Sequence, residues 1–195
     1  MRKMSRLSSD DCHTLLDLAR RAISSAVIEK RIPDFSPYPS TLMQQAGAFV
    51  TLHRDGQLRG CVGQVEASDP LGDAVARAAI NAALHDSRFP AVQADDVRSL
   101  EIEISVLSPP EPIAPETILP GRHGLLIVNG ENRGLLLPQV ATERRWSSQR
   151  FLEETCAKAG LPRDAWREPS TRVLAFAAEV FSDTSVRVGH SVGIE

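Results

Sequence analysis

Two tight-turn dipeptides, Asp55-Gly56 and Asn129-Gly130, each separate a pair of short apolar segments. Such dipeptides favour β-hairpins, because Gly, Asn and Asp tolerate the positive φ that tight hairpin turns require. We therefore expect one hairpin over residues 48–62 and a second over residues 125–137, the latter with a longer loop that ends near Gly134. A chain with two such hairpins must contain antiparallel sheet.

Apolar residues at helical spacing predict helices between and around the hairpins. Three segments carry the pattern: residues 9–30, with Ser9 or Asp10 as the cap; a segment opened by Asp69 as cap and by Pro70; and a segment from Ser147 or Ser148 to Ala159. Hairpins alternate with helices, and no strand–helix–strand unit repeats. This order indicates an α+β fold with a mostly antiparallel sheet and flanking helices.

Two further strands are predicted at residues 100–107 and 173–181, where apolar residues dominate. Four closely spaced prolines follow the first of them, so residues 108–120 are predicted to form a seam between two subdomains. The chain, residues 1–195, is of a size that suits a single domain with such a seam. The small, polar residues 183–195 are predicted to form a tail.

The charge balance disfavours nucleic acid as a partner. Lys and Arg total 22 against 25 Asp and Glu, a formal net charge of −3. A protein that binds the phosphate backbone usually carries a basic excess. No apolar run approaches the 18 or more residues typical of a membrane-spanning helix, and the polar N-terminal segment lacks the apolar stretch of a signal peptide. We therefore expect a cytoplasmic protein with no membrane partner.

The sequence carries no recognisable metal or cofactor motif. Its three cysteines, Cys12, Cys61 and Cys156, are far apart, and no Cys/His set has the spacing of zinc ligands. Neither a P-loop nor a dinucleotide-binding fingerprint is present. We therefore expect no metal and no cofactor, and we expect reduced thiols.

The six residues Leu58-Arg59-Gly60-Cys61-Val62-Gly63 resemble the hallmark motif of the AMMECR family, which usually has isoleucine at the position of Val62. The resemblance covers nearly the whole chain, from about Leu15 to Phe181. It continues in family order through residues 48–52, 81–83 with 86–90, 100–110, 134–140 and 151–166.

This resemblance implies an α+β fold made of a larger and a smaller subdomain with a cleft between them. Bacterial members of the family are similar to the protein A component of a three-part system that also contains a Memo-like protein and a radical SAM enzyme. It therefore implies these two proteins as partners and an unknown small-molecule or protein substrate. It implies no defined reaction for the chain itself.

Cys61 is the candidate catalytic residue. A thiolate is activated by nearby positive charge such as Arg59, and the flanking Gly60 and Gly63 would let backbone amides or a ligand come close. Such a turn could also supply an oxyanion site for acyl transfer. Alternatively, Cys61 belongs to the returning strand of the hairpin as a small apolar side chain, while Gly60 permits close packing against another layer.

A nucleophilic cysteine needs a base, and His53 and His85 are the nearest candidates along the chain. A regular two-residue hairpin would pair Thr51 with Gly60 and place Cys61 opposite Val50. Cys61 would then lie roughly 10 Å from His53, too far for a direct dyad.

Arg88 is a second candidate binding residue, in the turn 86–90. Its guanidinium could hold a carboxylate or a phosphate. Alternatively, Arg88 forms a salt bridge with Asp86 or caps the end of the preceding helix.

Three functions therefore remain open. The chain could be an enzyme that uses Cys61 in acyl transfer or thiol redox chemistry. It could be a component that presents or binds a substrate beside a radical SAM enzyme, through Arg59, Gly60, Cys61 and Arg88. It could be a nucleic-acid-associated regulator, which the charge of −3 and the content of one Tyr and two Trp disfavour. The absence of a complete nucleophile, acid and base set favours the second function.

Overall fold

A computed structural model describes residues 7–32 and 34–184. The helices of this part of the chain are α1 (Ser9–Val27), α2 (Leu71–Leu84), α3 (Pro138–Glu143) and α4 (Ser148–Lys158). Its strands are β1 (Gly47–Arg54), β2 (Gln57–Gln64), β3 (Glu101–Leu107), β4 (Glu111–Pro112), β5 (Gly124–Asn129), β6 (Asn132–Leu136), β7 (Arg172–Phe176) and β8 (Ala178–Ser182). None of these helices is long and apolar enough to cross a bilayer.

The chain divides into two compact units. Of the described residues, the larger unit contains those between 7 and 106 and between 179 and 184, and the smaller unit contains Leu107–Ala178. Each unit has its own four-stranded antiparallel sheet, ordered β2-β1-β3-β8 in the larger and β4-β7-β5-β6 in the smaller. The predicted α+β fold with antiparallel sheet and flanking helices is therefore confirmed.

In the larger unit α2 packs against α1 and against both strands of the β1–β2 hairpin. Small side chains on α2 make this close packing possible, since a bulky stripe would hold the helix further from the sheet. The largest fully buried side chains of this core come from α1, α2, β1, β3 and the turn at Ser40–Met43: Leu15, Leu18, Ile23, Leu42, Leu52, Leu71, Ile102 and Ile104.

The first residues of α1 and α2 differ from the prediction. Ser8, not Ser9 or Asp10, caps α1, and its hydroxyl and the Asp11 carboxylate form a reciprocal capping box. Asp69 does not cap α2, because its carboxylate accepts hydrogen bonds from Gln64, Ser68 and Arg77 instead. A short polar side chain close to a helix start has several partners within reach, so the sequence alone does not select one.

Helix α1 also ends three residues earlier than predicted, at Val27. Beyond it Lys30 takes a positive φ of 56°, which a continuing helix would not allow. The described residues that follow form no helix or strand until a short 3₁₀ turn at Ser40–Met43.

In the smaller unit the second hairpin is tighter than predicted. Strand β6 begins at Asn132, so the loop has two residues, Gly130 and Glu131, and does not extend to Gly134. Gly134 instead lies against α4, where a Cβ atom would be 2.3 Å from the backbone nitrogen of Ala159. The core of this unit is built from α4 and β5, with Phe151, Leu125 and Ile127 fully buried.

The predicted strand 173–181 is two strands that belong to different sheets. Strand β7 pairs with β4 and β5, and β8 lies beside β3, with Ala177 between them. An apolar run shows that a segment is buried but not which neighbours it pairs with. Of the predicted tail, residues 185–195 lie outside the described part, whereas Asp183 accepts hydrogen bonds from Arg20 and from the Ile102 N–H.

Candidate functional site

The β1–β2 hairpin carries the six-residue motif on its second strand, and a β-bulge changes its register. Arg54 pairs with Gln57 and His53 with Leu58, but the register then shifts so that Leu52 pairs with Gly60. Arg59 is the extra residue of the bulge. As a result Cys61 lies opposite Thr51, and the predicted pairings of Thr51 with Gly60 and of Cys61 with Val50 are wrong.

Gly60 and Cys61 serve opposite faces of β2. Gly60 is buried against α2, where a Cβ atom would be 2.1 Å from the carbonyl oxygen of Ala82. No other residue fits there unless the helix moves. Cys61, on the other face, is only partly buried. Its Sγ accepts a hydrogen bond from the Thr51 hydroxyl at 3.3 Å.

A pair of charged residues from the turn after α2 holds the backbone of Cys61. Asp86 Oδ2 accepts a hydrogen bond from the Cys61 N–H at 2.8 Å, and Arg88 Nη2 donates to the Cys61 carbonyl at 3.1 Å. The two side chains also pair with each other, with Arg88 Nη2 2.6 Å from Asp86 Oδ2. We call this arrangement of Asp86 and Arg88 the clasp. It supplies the outer edge of β2 with the backbone partners that a neighbouring strand would otherwise provide.

The contacts within the clasp stabilise the charged forms of both Asp86 and Arg88. The side chain of Asp86 is only 6% exposed, and its hydrogen bonds from Arg88 hold the pKa of the carboxyl well below its usual range, against the opposing effect of burial. The same contact raises the pKa of the Arg88 guanidinium. The side chain of Arg88 is 55% exposed, so its outer side is open to water.

The other motif residues are divided between surface and core. Leu58 is 41% exposed, and Val62 packs against the core of the larger unit. Arg59 is half-buried, and its Nη1 is buried without a hydrogen-bond partner among the described residues. Gly63 lies beneath Phe49, whose ring carbon Cγ would be 2.5 Å from an added Cβ atom.

Comparison with known proteins agrees with this architecture and with the motif. The AMMECR1 family model matches residues 16–181. The chain belongs to the AMMECR1 family. The resemblance seen in the motif and in the stretches around it is thereby confirmed.

AMMECR1-family relatives match over almost their whole length. A protein from Methanothermobacter thermautotrophicus is 44% identical, over 93% of this chain and 98% of the relative. Protein TK0174 from Thermococcus kodakarensis is 43% identical, over 92% of this chain and 94% of the relative. The crystal structure of uncharacterized protein PH0010 from Pyrococcus horikoshii has a TM-score of 0.82 and 41% identity, covering 89% of this chain and 92% of that one.

In this AMMECR1-family chain the structure does not pair the candidate bases with Cys61. Within the described residues, the Thr51 hydroxyl donates to the Cys61 sulfur and no histidine does. The Cys61 side chain also interacts with the Arg88 guanidinium and contributes to its raised pKa. His53 lies two positions from Thr51 along β1 and pairs with Leu58, on the other side of the bulge from Cys61. Also within the described residues, no three His, Cys, Asp or Glu side chains are grouped to hold a metal ion.

Two contacts of the candidate site were not predicted from the sequence. Thr51 was not expected to face Cys61, because the bulge at Arg59 shifts the strand by one residue. Asp86 was expected to pair with Arg88, but its hydrogen bond to the Cys61 N–H joins residues 25 positions apart. A glycine within a strand, here Gly60, was the available signal, since such glycines mark bulges and close approaches of another layer.

Proposed function

We propose that this chain is a binding component, without a catalytic step of its own, that acts with a Memo-like protein and a radical SAM enzyme in modifying an unknown substrate. The family resemblance of the motif supplies the identity of the two partners. One observation carries the choice of a binding role over an enzymatic one: the Asp86 carboxylate lies 2.8 Å from the Cys61 backbone nitrogen.

That carboxylate is unfavourable for acyl transfer at Cys61. A tetrahedral intermediate carries a negative oxygen that is stabilised by free backbone N–H groups near the nucleophile. Here the N–H of Cys61 already donates to an anion, and the depressed pKa of Asp86 keeps that anion charged at neutral pH. A second negative charge at the same position would be repelled.

Thiol redox chemistry has little support from the other two cysteines. A redox cysteine is usually accessible and has a second, resolving cysteine beside it. Cys12 and Cys156 are both buried, each in the core of a different unit. Burial also raises the pKa of the Cys156 thiol, which makes its reactive form scarcer.

The residues around Cys61 suit contact with a partner protein. Arg88 offers a fixed guanidinium, because it donates hydrogen bonds to the Asp86 carboxylate and to the Cys61 carbonyl. About half of its side chain nevertheless remains exposed. Leu58 adds an exposed apolar side chain on the same strand as Cys61. Arg side chains and apolar anchors are the residues that contribute most to protein–protein affinity.

The test is a native co-purification from the source organism, with the tagged chain expressed at its normal level and partners quantified by mass spectrometry. We expect recovery of both a Memo-like protein and a radical SAM enzyme with the wild-type chain. The Leu58→Ser variant should recover several-fold less of them. Leu119→Ser is the matched control, since Leu119 is 50% exposed and lies in the other unit.

Two results would contradict the proposal. Repeated wild-type purifications that recover neither partner would contradict the proposed assembly with these two proteins. Equal recovery of the partners by Leu58→Ser and Leu119→Ser would show that the strand that carries the motif does not contact them. Thermal unfolding of both variants must match, which verifies that a lost partner reflects the surface and not the fold.

A further inference from the structure

A groove of about 440 Å³ lies in the larger unit, between α2 and the extended segment that follows α1. It shares no residue with the clasp or with the six-residue motif. Two aromatic rings, three aspartates, one arginine and one histidine stand among its lining residues: Phe35, Tyr38, Asp34, Asp69, Asp73, Arg77 and His85. A cavity of this size accommodates a small organic molecule.

One wall of the groove is the ring of Tyr38, held in place by a glycine on α2. A Cβ atom on Gly72 would be 2.7 Å from the Tyr38 ring carbons, so only glycine lets the ring lie this close to the helix. The Tyr38 hydroxyl donates to Asp73 Oδ1 at 2.9 Å. The ring is therefore oriented before any ligand arrives, which reduces the entropy cost of binding.

The floor of the groove is a polar row on α2, made by residues four positions apart. Asp73, Arg77 and Asn81 follow this spacing. Arg77 is already neutralised, because its Nη2 lies 2.5 Å from Asp69 Oδ2. Asp73 is exposed and, among the described residues, only Tyr38 donates to its side chain, so Asp73 keeps its charge and one oxygen for a ligand.

The second ring and the second carboxylate lie on the extended segment. Asp34 Oδ1 accepts from the Ser36 N–H, and the carboxylate remains exposed. The Phe35 ring already attracts a cation, since the guanidinium of Arg21 lies 5.8 Å from its centroid. Aromatic faces beside carboxylates favour a cation, which the ring and the negative charge both attract.

We propose that this groove binds a small organic cation, an amine or guanidinium carried on a short apolar stem. The stem would lie against Phe35 and Tyr38, and the charged group would reach Asp34 or Asp73. Three aspartates against the guanidinium groups of Arg77 and Arg21 leave the groove net negative, so an anion of the same size is disfavoured. The proposal does not depend on the proposed function, because it concerns a different set of residues.

Tyr38 supplies a direct probe, since it is the chain's single tyrosine. Full-length protein labelled with 3-fluorotyrosine has one fluorine resonance from the groove itself. We would titrate it with agmatine, with a capped Ala-Ala-Arg-Ala-Ala peptide and with adipate. We expect a saturable shift with agmatine or the peptide and none with adipate. Tighter binding of agmatine would indicate a free small-molecule cation as the natural ligand, and tighter binding of the peptide an arginine side chain of a protein.

Charge variants test the sign of the ligand. Asp73→Asn keeps an oxygen for the Tyr38 hydroxyl but removes the charge, and should weaken agmatine or peptide binding about fivefold. Asp17→Asn is the matched control, because Asp17 is an exposed aspartate on α1 outside the groove and should change nothing. Arg21→Gln should tighten binding, since it removes a competing positive charge near Phe35.

Three outcomes would overturn the proposal. The first is the absence of a saturable shift with both cations at millimolar concentration. The second is equal affinity for adipate. The third is an Asp73→Asn variant that binds as tightly as Asp17→Asn, or an Arg21→Gln variant that binds more weakly than wild type. Either result with the variants would show that the groove does not select positive charge.

Discussion

Thr51 and Cys61 lie directly opposite each other on β1 and β2, and the Thr51 hydroxyl donates to the Cys61 sulfur at 3.3 Å. This contact fixes the thiol on the sheet face that is turned away from α2. The backbone of the same residue is held by Asp86 and Arg88. Cys61 is thus immobilised through its side chain, its N–H and its carbonyl, while its side chain stays partly exposed.

Thiol accessibility follows from this arrangement. Cys61 is half-buried, whereas Cys12 and Cys156 are buried. We expect one equivalent of a maleimide to react readily with the folded chain, at Cys61, and the other two thiols to react only as the chain unfolds. Peptide mapping of the labelled protein checks this, and Cys61→Ser should abolish the first reaction. Earlier labelling of Cys12 or Cys156 would contradict the structure.

Asp86→Asn should destabilise the larger unit by about 2 kcal/mol at pH 7, because it replaces a buried, charge-assisted acceptor of the clasp. The folded-state pKa of Asp86 is depressed, so its stabilising effect is complete above the unfolded-state pKa and is lost as the pH falls. With an unfolded-state pKa near 3.8 for Asp86, the wild-type chain loses about 1 kcal/mol of this stabilisation by pH 3.

The measurement is urea unfolding of wild type and Asp86→Asn at pH 7 and pH 3. The difference between the two proteins should narrow on acidification, since other carboxylates affect both equally. A constant difference would show that the Asp86 charge does not stabilise the fold. Asp17→Asn, on the exposed face of α1, gives the baseline for losing one aspartate charge.

Gly60→Ala should cost about 3 kcal/mol or more, because the new Cβ atom would be 2.1 Å from the backbone oxygen of Ala82. Gly56→Ala in the same hairpin is the control. It has a φ of 73° and open space around its Cβ position, so it should cost only about 1–2 kcal/mol for the left-handed conformation. Chemical denaturation of both variants measures the difference. Equal costs would mean that α2 can move away from β2.

Tyr38 should ionise at a higher pH in the folded chain than in the unfolded chain. Burial, followed by the hydrogen bond to Asp73, raises the pKa of the phenol above its usual value of 10.0. Folding stability should therefore decline as the pH rises above that value. Tyrosinate absorbance reports this residue alone, with urea-unfolded protein as the reference. Asp73→Asn should lower the pKa only part of the way, since burial remains, and an unchanged pKa would contradict the contact.

Local chemistry made the hairpins predictable from sequence. Asp55 and Gly56 take φ values of 53° and 73°, as expected of an Asp-Gly turn, and Gly130 takes 59°. The register beyond His53 was not predictable, because it depends on how closely Gly60 approaches α2. The bulge depends on packing against α2, which the sequence of the hairpin alone does not reveal.

Contacts between distant residues limited what could be predicted of the sites. The motif predicted Cys61 and the turn 86–90 predicted Arg88 as candidate residues, but the hydrogen bond that the Asp86 carboxylate accepts from the Cys61 N–H became visible only in the structure. The groove was missed altogether, since Tyr38 and Asp73 are 35 positions apart and neither belongs to a recognisable motif. The break at Ala177 was missed for a related reason, because only the sheet order separates β7 from β8.

Because the larger unit is formed by two segments that flank the smaller one, the segments of the two units are synthesised in a fixed order. Strand β3 ends at Leu107, and its neighbour β8 begins only at Ala178, after the smaller unit has been synthesised. The described residues of the smaller unit form one contiguous segment, which is synthesised before the larger unit receives its last strand. Until β8 emerges, the β3 edge has unpaired backbone groups that other chains could bind. The N-terminal hundred residues thus depend on a late segment to close their own sheet.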